Sequence, residues 1–183
     1  MANIHGAFEQ QAPADKWFHT TSDVLQVVSF IEGSSVGTMF DQPLNTVPAQ
    51  EVLERMTELT AKQRLKILTG RQIPFDLWVD YFLNIGKMAI IIMPGGFTRD
   101  GFAGMLIDKH HCYGTRSLRD WREVGVTTRI DQKLARLAHM RQLISDGQSK
   151  IDDNGETALD TVADILGYAV IGVFMATKGA HLP

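Results

Sequence analysis

Glu156, Asp160 and Asp164 stand four residues apart, and Arg129, Lys133 and Arg136 recur at intervals of four and three in the preceding segment RIDQKLARL, residues 129–137. On a helix turning about 100° per residue, each set falls on one face. The three acids repel one another by roughly 0.2–0.5 kcal/mol per pair unless cations compensate them. Two chemistries answer that need. One is a structural ion pair between the two faces. The other is a site in which carboxylates hold Mg²⁺ and cations hold phosphoryl oxygens. Spacing alone leaves both open.

The elements that must position these residues follow from hydrophobic periodicity. Ile130, Leu134 and Leu137 form an apolar stripe beside the cations, so the basic residues border a core, where long stems lie on apolar surface. Leu159, Val162, Leu166 and Val173 oppose Gly167, Ile171 and Phe174, which makes the last helix apolar on both sides and therefore interior. Earlier helices are expected over 17–32 with a cap at Ser22, over 49–70 with a stop at Gly70, and from Pro74 to 93, where AIIIM also suits a short strand. Four more are expected beyond them, at about 102–111, 117–124, 128–145 and 155–177. Pairs Ser117/Asp120, Thr128/Asp131 and Asp153/Glu156 have capping-box spacing, and Gly125, Gly147 and Gly179 suit helix C-termini. The expectation is an all-α helical bundle of six to seven helices. It forms a single domain with an elaborated N-terminal part: an arm at 1–16, a helical region at 17–100, and a C-terminal helical unit at 101–183.

The 183 residues, 44% apolar and 21% charged, are enough for one sizeable core. The net charge of −3 does not favour phosphate backbones, so general nucleic-acid binding is not expected. One cysteine, Cys112, permits no intramolecular disulfide. MANIHGAFEQ lacks the pattern of a signal peptide, and the apolar runs 88–93 and 165–176 fall short of the roughly 20 residues a membrane span needs. These features point to a cytoplasmic protein with no membrane partner. The run HHC, 110–112, has no second cluster at zinc spacing, GGFTRDG is not a phosphate loop, and no nucleophile signature is present. Glu51, Glu54 and Glu58 read as a solvated face interleaved with Arg55, Lys62 and Arg64.

Residues 105–172 resemble the phage and prophage family called nucleotide modification associated domain 1. The resemblance is carried by KHHCYG (109–114), RIDQKLARL (129–137) and ETALDTVADILGYA (156–169). Their order matches that family's Lys-x-x-Asp-Tyr-Gly, Arg-Ile-x-x-Lys-x-x-Arg-Leu and Glu-x3-Asp-Thr-x2-Asp-x3-Tyr elements. Cys112 stands where the family has Asp. The resemblance implies Lys109, Tyr113, Arg129, Lys133, Arg136 and Tyr168 as ligand-binding residues, with the tyrosines stacking on a base or closing a pocket. It implies Glu156, Asp160 and Asp164 as metal ligands, and Asp160 and Asp164 as the catalytic carboxylates. A remoter similarity to MazG-like all-α nucleoside triphosphate pyrophosphohydrolases adds Mg²⁺-dependent hydrolysis, although no Glu-Glu-x-x-Glu element is evident. The resemblance therefore implies a (deoxy)nucleotide-binding protein of phage-type nucleotide metabolism. It would work in the host cytoplasm if phage-encoded, and would be homo-oligomeric as such helical domains often are. Three readings stand open: a hydrolase, a non-catalytic nucleotide-binding module, and a structural or interaction protein with an internal salt-bridge network.

Overall fold

Thr20 opens the first helix with a reciprocal capping box. Its hydroxyl accepts from the Asp23 amide at 3.3 Å, while the Asp23 carboxylate accepts from the Thr20 amide at 2.9 Å. The cap is therefore Thr20 and not Ser22. The computed structural model describes residues 18, 20–34, 47–70, 72–93, 98–113, 116–145 and 157–179, excepting the side chains at 110–113, 116–120, 142–145 and 178–179. These residues form α1 (Thr21–Gly33), α2 (Ala49–Leu68), α3 (Phe75–Ile92), α4 (Arg99–Tyr113), α5 (Arg116–Ser145) and α6 (Ala158–Gly179). The protein is all-α, and no strand occurs among the described residues. The AIIIM segment is the end of α3, with Met93 as its C-cap residue. Its branched residues pack against the bundle from a helix, tertiary burial overriding their β preference.

α6 is the centre of the bundle. It packs against α3 on one side and α5 on the other, α2 bridges α3 and α5, and α1 lies against α3, α4 and α6. Val162, Ile165, Leu166, Val170, Val173 and Phe174 are all buried, as an interior helix apolar on both sides requires. The core is continuous from Phe18 to Ala176 and includes Ile31, Met56, Phe82, Phe102 and Ile130, so the helices of 17–100 and those beyond residue 100 share it. Taken at its full length, the last apolar segment is longer than its central twelve residues imply. Ala158–Thr177 has a mean hydropathy of 1.6 and reaches membrane-spanning length and composition, yet 67% of it is buried inside the bundle.

Two boundaries depart from the pattern expected of the sequence. Helical segments 117–124 and 128–145 are two helices joined at a kink and labelled together as α5, but the break falls at Arg122 (φ 46°, ψ −137°), three residues before Gly125. Gly125 lies inside the helix that follows the kink and terminates neither part. Thr128 is no cap either: its hydroxyl donates to the Val124 carbonyl at 2.9 Å, one turn back. Gly70, by contrast, does close α2, with φ +66° in the left-handed region that glycine adopts at no steric cost.

Candidate functional site

Asp164 projects from the second turn of α6 and is only 14% exposed. A carboxylate so placed needs partners, and it has two, from two different helices. The Lys133 ammonium of α5 donates to Oδ2 at 2.6 Å. The Lys109 ammonium of α4 donates to Oδ1. Lys133 is 17% exposed and Lys109 40%, so the cluster opens toward solvent on the α4 side. The packing of α5 against α6 explains why Lys133 meets Asp164: Ile130, Leu134 and Leu137 bury the adjacent stripe and leave Lys133 at its edge.

Tyr168, one turn further along α6, is half-buried against the core. Burial and the nearby Asp164 charge push its phenol pKa up, while Arg129, Lys133 and Lys109 pull it down. That balance places Tyr168 beside the same charges. Arg129 is exposed and its guanidinium donates to Gln132 at 3.2 Å. Arg136 is half-buried on the same helix. The structure thus brings Lys109, Lys133, Asp164 and Tyr168 together, with Arg129 close enough to act on the phenol. Glu156 and the Tyr113 side chain lie outside the described residues, as do Asp153, Gly147, the Ser117/Asp120 pair and the HHC side chains.

Asp160 makes contacts that its spacing with Asp164 does not reveal. α6 begins at Ala158, which puts Asp160 in the first turn and makes it half of a capping box. Thr157 donates its amide at 2.9 Å and its hydroxyl at 2.7 Å to Oδ2, and the Asp160 amide donates back to the Thr157 hydroxyl at 3.2 Å. These bonds, the amide first, hold the Asp160 carboxyl below the usual carboxylate range, with smaller help from Lys109 and Lys133. A carboxylate with a depressed folded-state pKa stabilises the fold above its unfolded value, near about pH 4, and that stability is lost as pH falls through the folded value. Asp160→Asn keeps an acceptor but cannot titrate. Urea unfolding of the variant should therefore show a flatter acid limb than wild type between about pH 4 and pH 2. Identical slopes would mean that the cap contributes nothing to acid stability.

Thr161 and Asp131 also bond within the bundle. The buried Thr161 hydroxyl donates to the Thr157 carbonyl at 3.1 Å and lies 3.7 Å from the Met140 sulfur. Asp131 is not a cap but accepts from Arg64 of α2 at 2.6 Å, tying α2 to α5. On α2, Arg55 meets Glu51 at 3.5 Å and Lys62 meets Glu58 at 2.6 Å, as the interleaved charges imply. Spacing does not reveal the Lys109–Asp164 pair, because no periodicity links residues on different helices. The Thr157 cap, however, is readable as Thr-x-x-Asp in TALD.

Each oxygen of Asp164 faces an ammonium, and Asp160 is engaged at a helix end. Among the described residues no group of three acidic, histidine or cysteine side chains is arranged to hold a metal. The described donor set suits an anion better than Mg²⁺, since a cation placed here would displace two lysines from a single carboxylate. Comparison with protein-family models, with curated proteins and with solved structures finds no match.

Proposed function

We propose that the chain binds a phosphate-bearing (deoxy)nucleotide on the face where α4, α5 and α6 meet, and that it does so without metal-dependent chemistry. The observation that carries this reading is the convergence of Lys109 and Lys133, from separate helices, on a single anionic group at the edge of the core. Asp164 draws both ammonium heads to one point at the edge of the core, where an external phosphate would compete with its carboxylate for them. Arg129 extends the positive field on the exposed side. Tyr168 offers an aromatic face with a hydroxyl kept protonated at neutral pH. The resemblance of the motifs holding Lys109, Lys133 and Tyr168 to nucleotide-associated phage proteins supplies the ligand class.

The test is a panel of nucleotides and deoxynucleotides incubated with purified protein, with and without Mg²⁺ or Mn²⁺. Melting temperature is recorded, and the filtrate and denatured protein fraction are chromatographed. Binding predicts intact nucleotide released from the protein fraction and a raised melting temperature, since ligand at 100-fold its dissociation constant adds about 2.7 kcal/mol. Lys109→Met with Lys133→Met should abolish the shift. A metal-dependent mono- or diphosphate peak would replace the binding module with a hydrolase. No shift across the panel would leave the cluster as a structural salt-bridge network.

A further inference from the structure

At the junction of α2, α3 and α5, away from the lysine cluster, the bundle buries polar side chains. Thr60 is 0% exposed, Gln63 3%, Tyr81 3% and Thr127 0%. Thr60 and Tyr81 share a hydrogen bond of 3.2 Å between α2 and α3, and Thr127 from α5 faces the same phenol. The Thr127 hydroxyl also donates to the Glu123 carbonyl at 2.8 Å, which leaves its oxygen as an acceptor. Gln63 follows Thr60 by three residues, so the two side chains leave α2 on the same face. Its Nε2 is buried and has no hydrogen-bond partner. A buried amide donor without an acceptor is costly, and native interiors satisfy such groups with protein atoms or ordered water.

We propose that this junction is a binding site for one internal water molecule, which accepts from Gln63 Nε2 and donates to the hydroxyl cluster formed by Thr60, Tyr81 and Thr127. A single water suits the inventory. It accepts the unpaired amide hydrogen and carries two hydrogens for the lone pairs of the hydroxyl oxygens, giving the two to four polar partners that buried waters hold. It would thereby tie α2 to both α3 and α5, next to the exposed Arg64–Asp131 bridge that spans α2 and α5 on the surface.

Two measurements on the full chain test it. A high-resolution crystal structure should show one ordered water within hydrogen-bond distance of Gln63 Nε2 and of at least one of the three hydroxyls. Gln63→Leu, which removes the amide and keeps much of its volume, should lower the melting temperature by several degrees and remove that water. If Gln63→Leu raises the melting temperature, the amide is an unsatisfied liability and no water serves it. Density showing Nε2 bonded directly to a protein acceptor overturns the proposal as well. Tyr81→Phe provides a second variant that deletes a hydroxyl and keeps the ring. It should weaken or displace the same water peak, and an unchanged peak would exclude Tyr81 from the site.

Discussion

Gly172→Ala should lower the melting temperature by several degrees, although the same change in most helices raises it. Replacing a helical glycine by alanine ordinarily gains about 0.5–1 kcal/mol through backbone entropy. At Gly172 a Cβ would overlap the ring of Phe82, where α6 packs against α3. That ring cannot retreat. Phe82 is fully buried, stacked on Trp78 at 5.8 Å between centroids and tilted against Tyr81 at 5.0 Å. Overpacking of this kind costs typically about 1–3 kcal/mol, so the net effect is a loss of about 1–2 kcal/mol, or roughly 2–8 °C for a chain of this length. Gly104 in α4 is the internal control, because a Cβ there meets nothing within 4 Å. Gly104→Ala should be neutral or stabilising. Phe82→Leu, destabilising alone, should cost less in the Gly172→Ala background, since the smaller side chain makes room for the new methyl. A neutral or stabilising Gly172→Ala would refute the close approach of α3 and α6.

The contrast between those two glycines shows what a one-dimensional pattern holds. Periodicity places the apolar faces of α5 and α6 correctly, because Ile130, Leu134, Leu137, Val162 and Leu166 repeat at the interval that burial on one helical side demands. It also marks Gly70 as a terminator. It does not distinguish Gly172 from Gly104, since only the position of Phe82, on another helix, separates them. The same holds for charge. The i, i+4, i+8 spacing of Glu156, Asp160 and Asp164 treats the three acids as equivalents. A helix start at Ala158 instead makes Asp160 a cap, while Asp164 is the acid that pairs with both lysines among the described residues. Capping is a competition between adjacent candidates, here Asp153/Glu156 and Thr157/Asp160, and local sequence favours both. Arg122 is the sharpest departure: nothing in WREVG signals a residue with positive φ, and glycine three positions later is the more natural place for a break.

Asp164→Asn should lower stability and strengthen binding of phosphate, two effects that together separate an organising carboxylate from a catalytic one. In the wild type, charge-assisted bonds from Lys109 and Lys133 neutralise a carboxylate that is 14% exposed. An amide of the same shape keeps one acceptor but loses both Coulombic attractions and leaves two ammonium groups facing one another. Hydrogen bonds to charged groups contribute about 1.5–3 kcal/mol when buried. Lys109 is partly solvated, so a loss of about 2 kcal/mol is expected, or roughly 4–8 °C in melting temperature. Lys133→Met retains the aliphatic stem that lies along the core and should cost less than Asp164→Asn, because Lys109 still pairs the acid. The double variant Lys133→Met/Asp164→Asn should be more stable than the sum of the single losses predicts, which is the signature of a direct pair. Binding moves the other way in the acid variant. With the internal carboxylate gone, the two ammoniums attract an external phosphate without competition, so inorganic phosphate or a nucleotide should bind more tightly to Asp164→Asn and more weakly to Lys133→Met. High salt should weaken the binding in every case. If Asp164 instead holds Mg²⁺ for hydrolysis, Asp164→Asn abolishes turnover while the melting temperature scarcely changes. Calorimetric titration of phosphate into both single variants, read beside their melting temperatures, decides between the two.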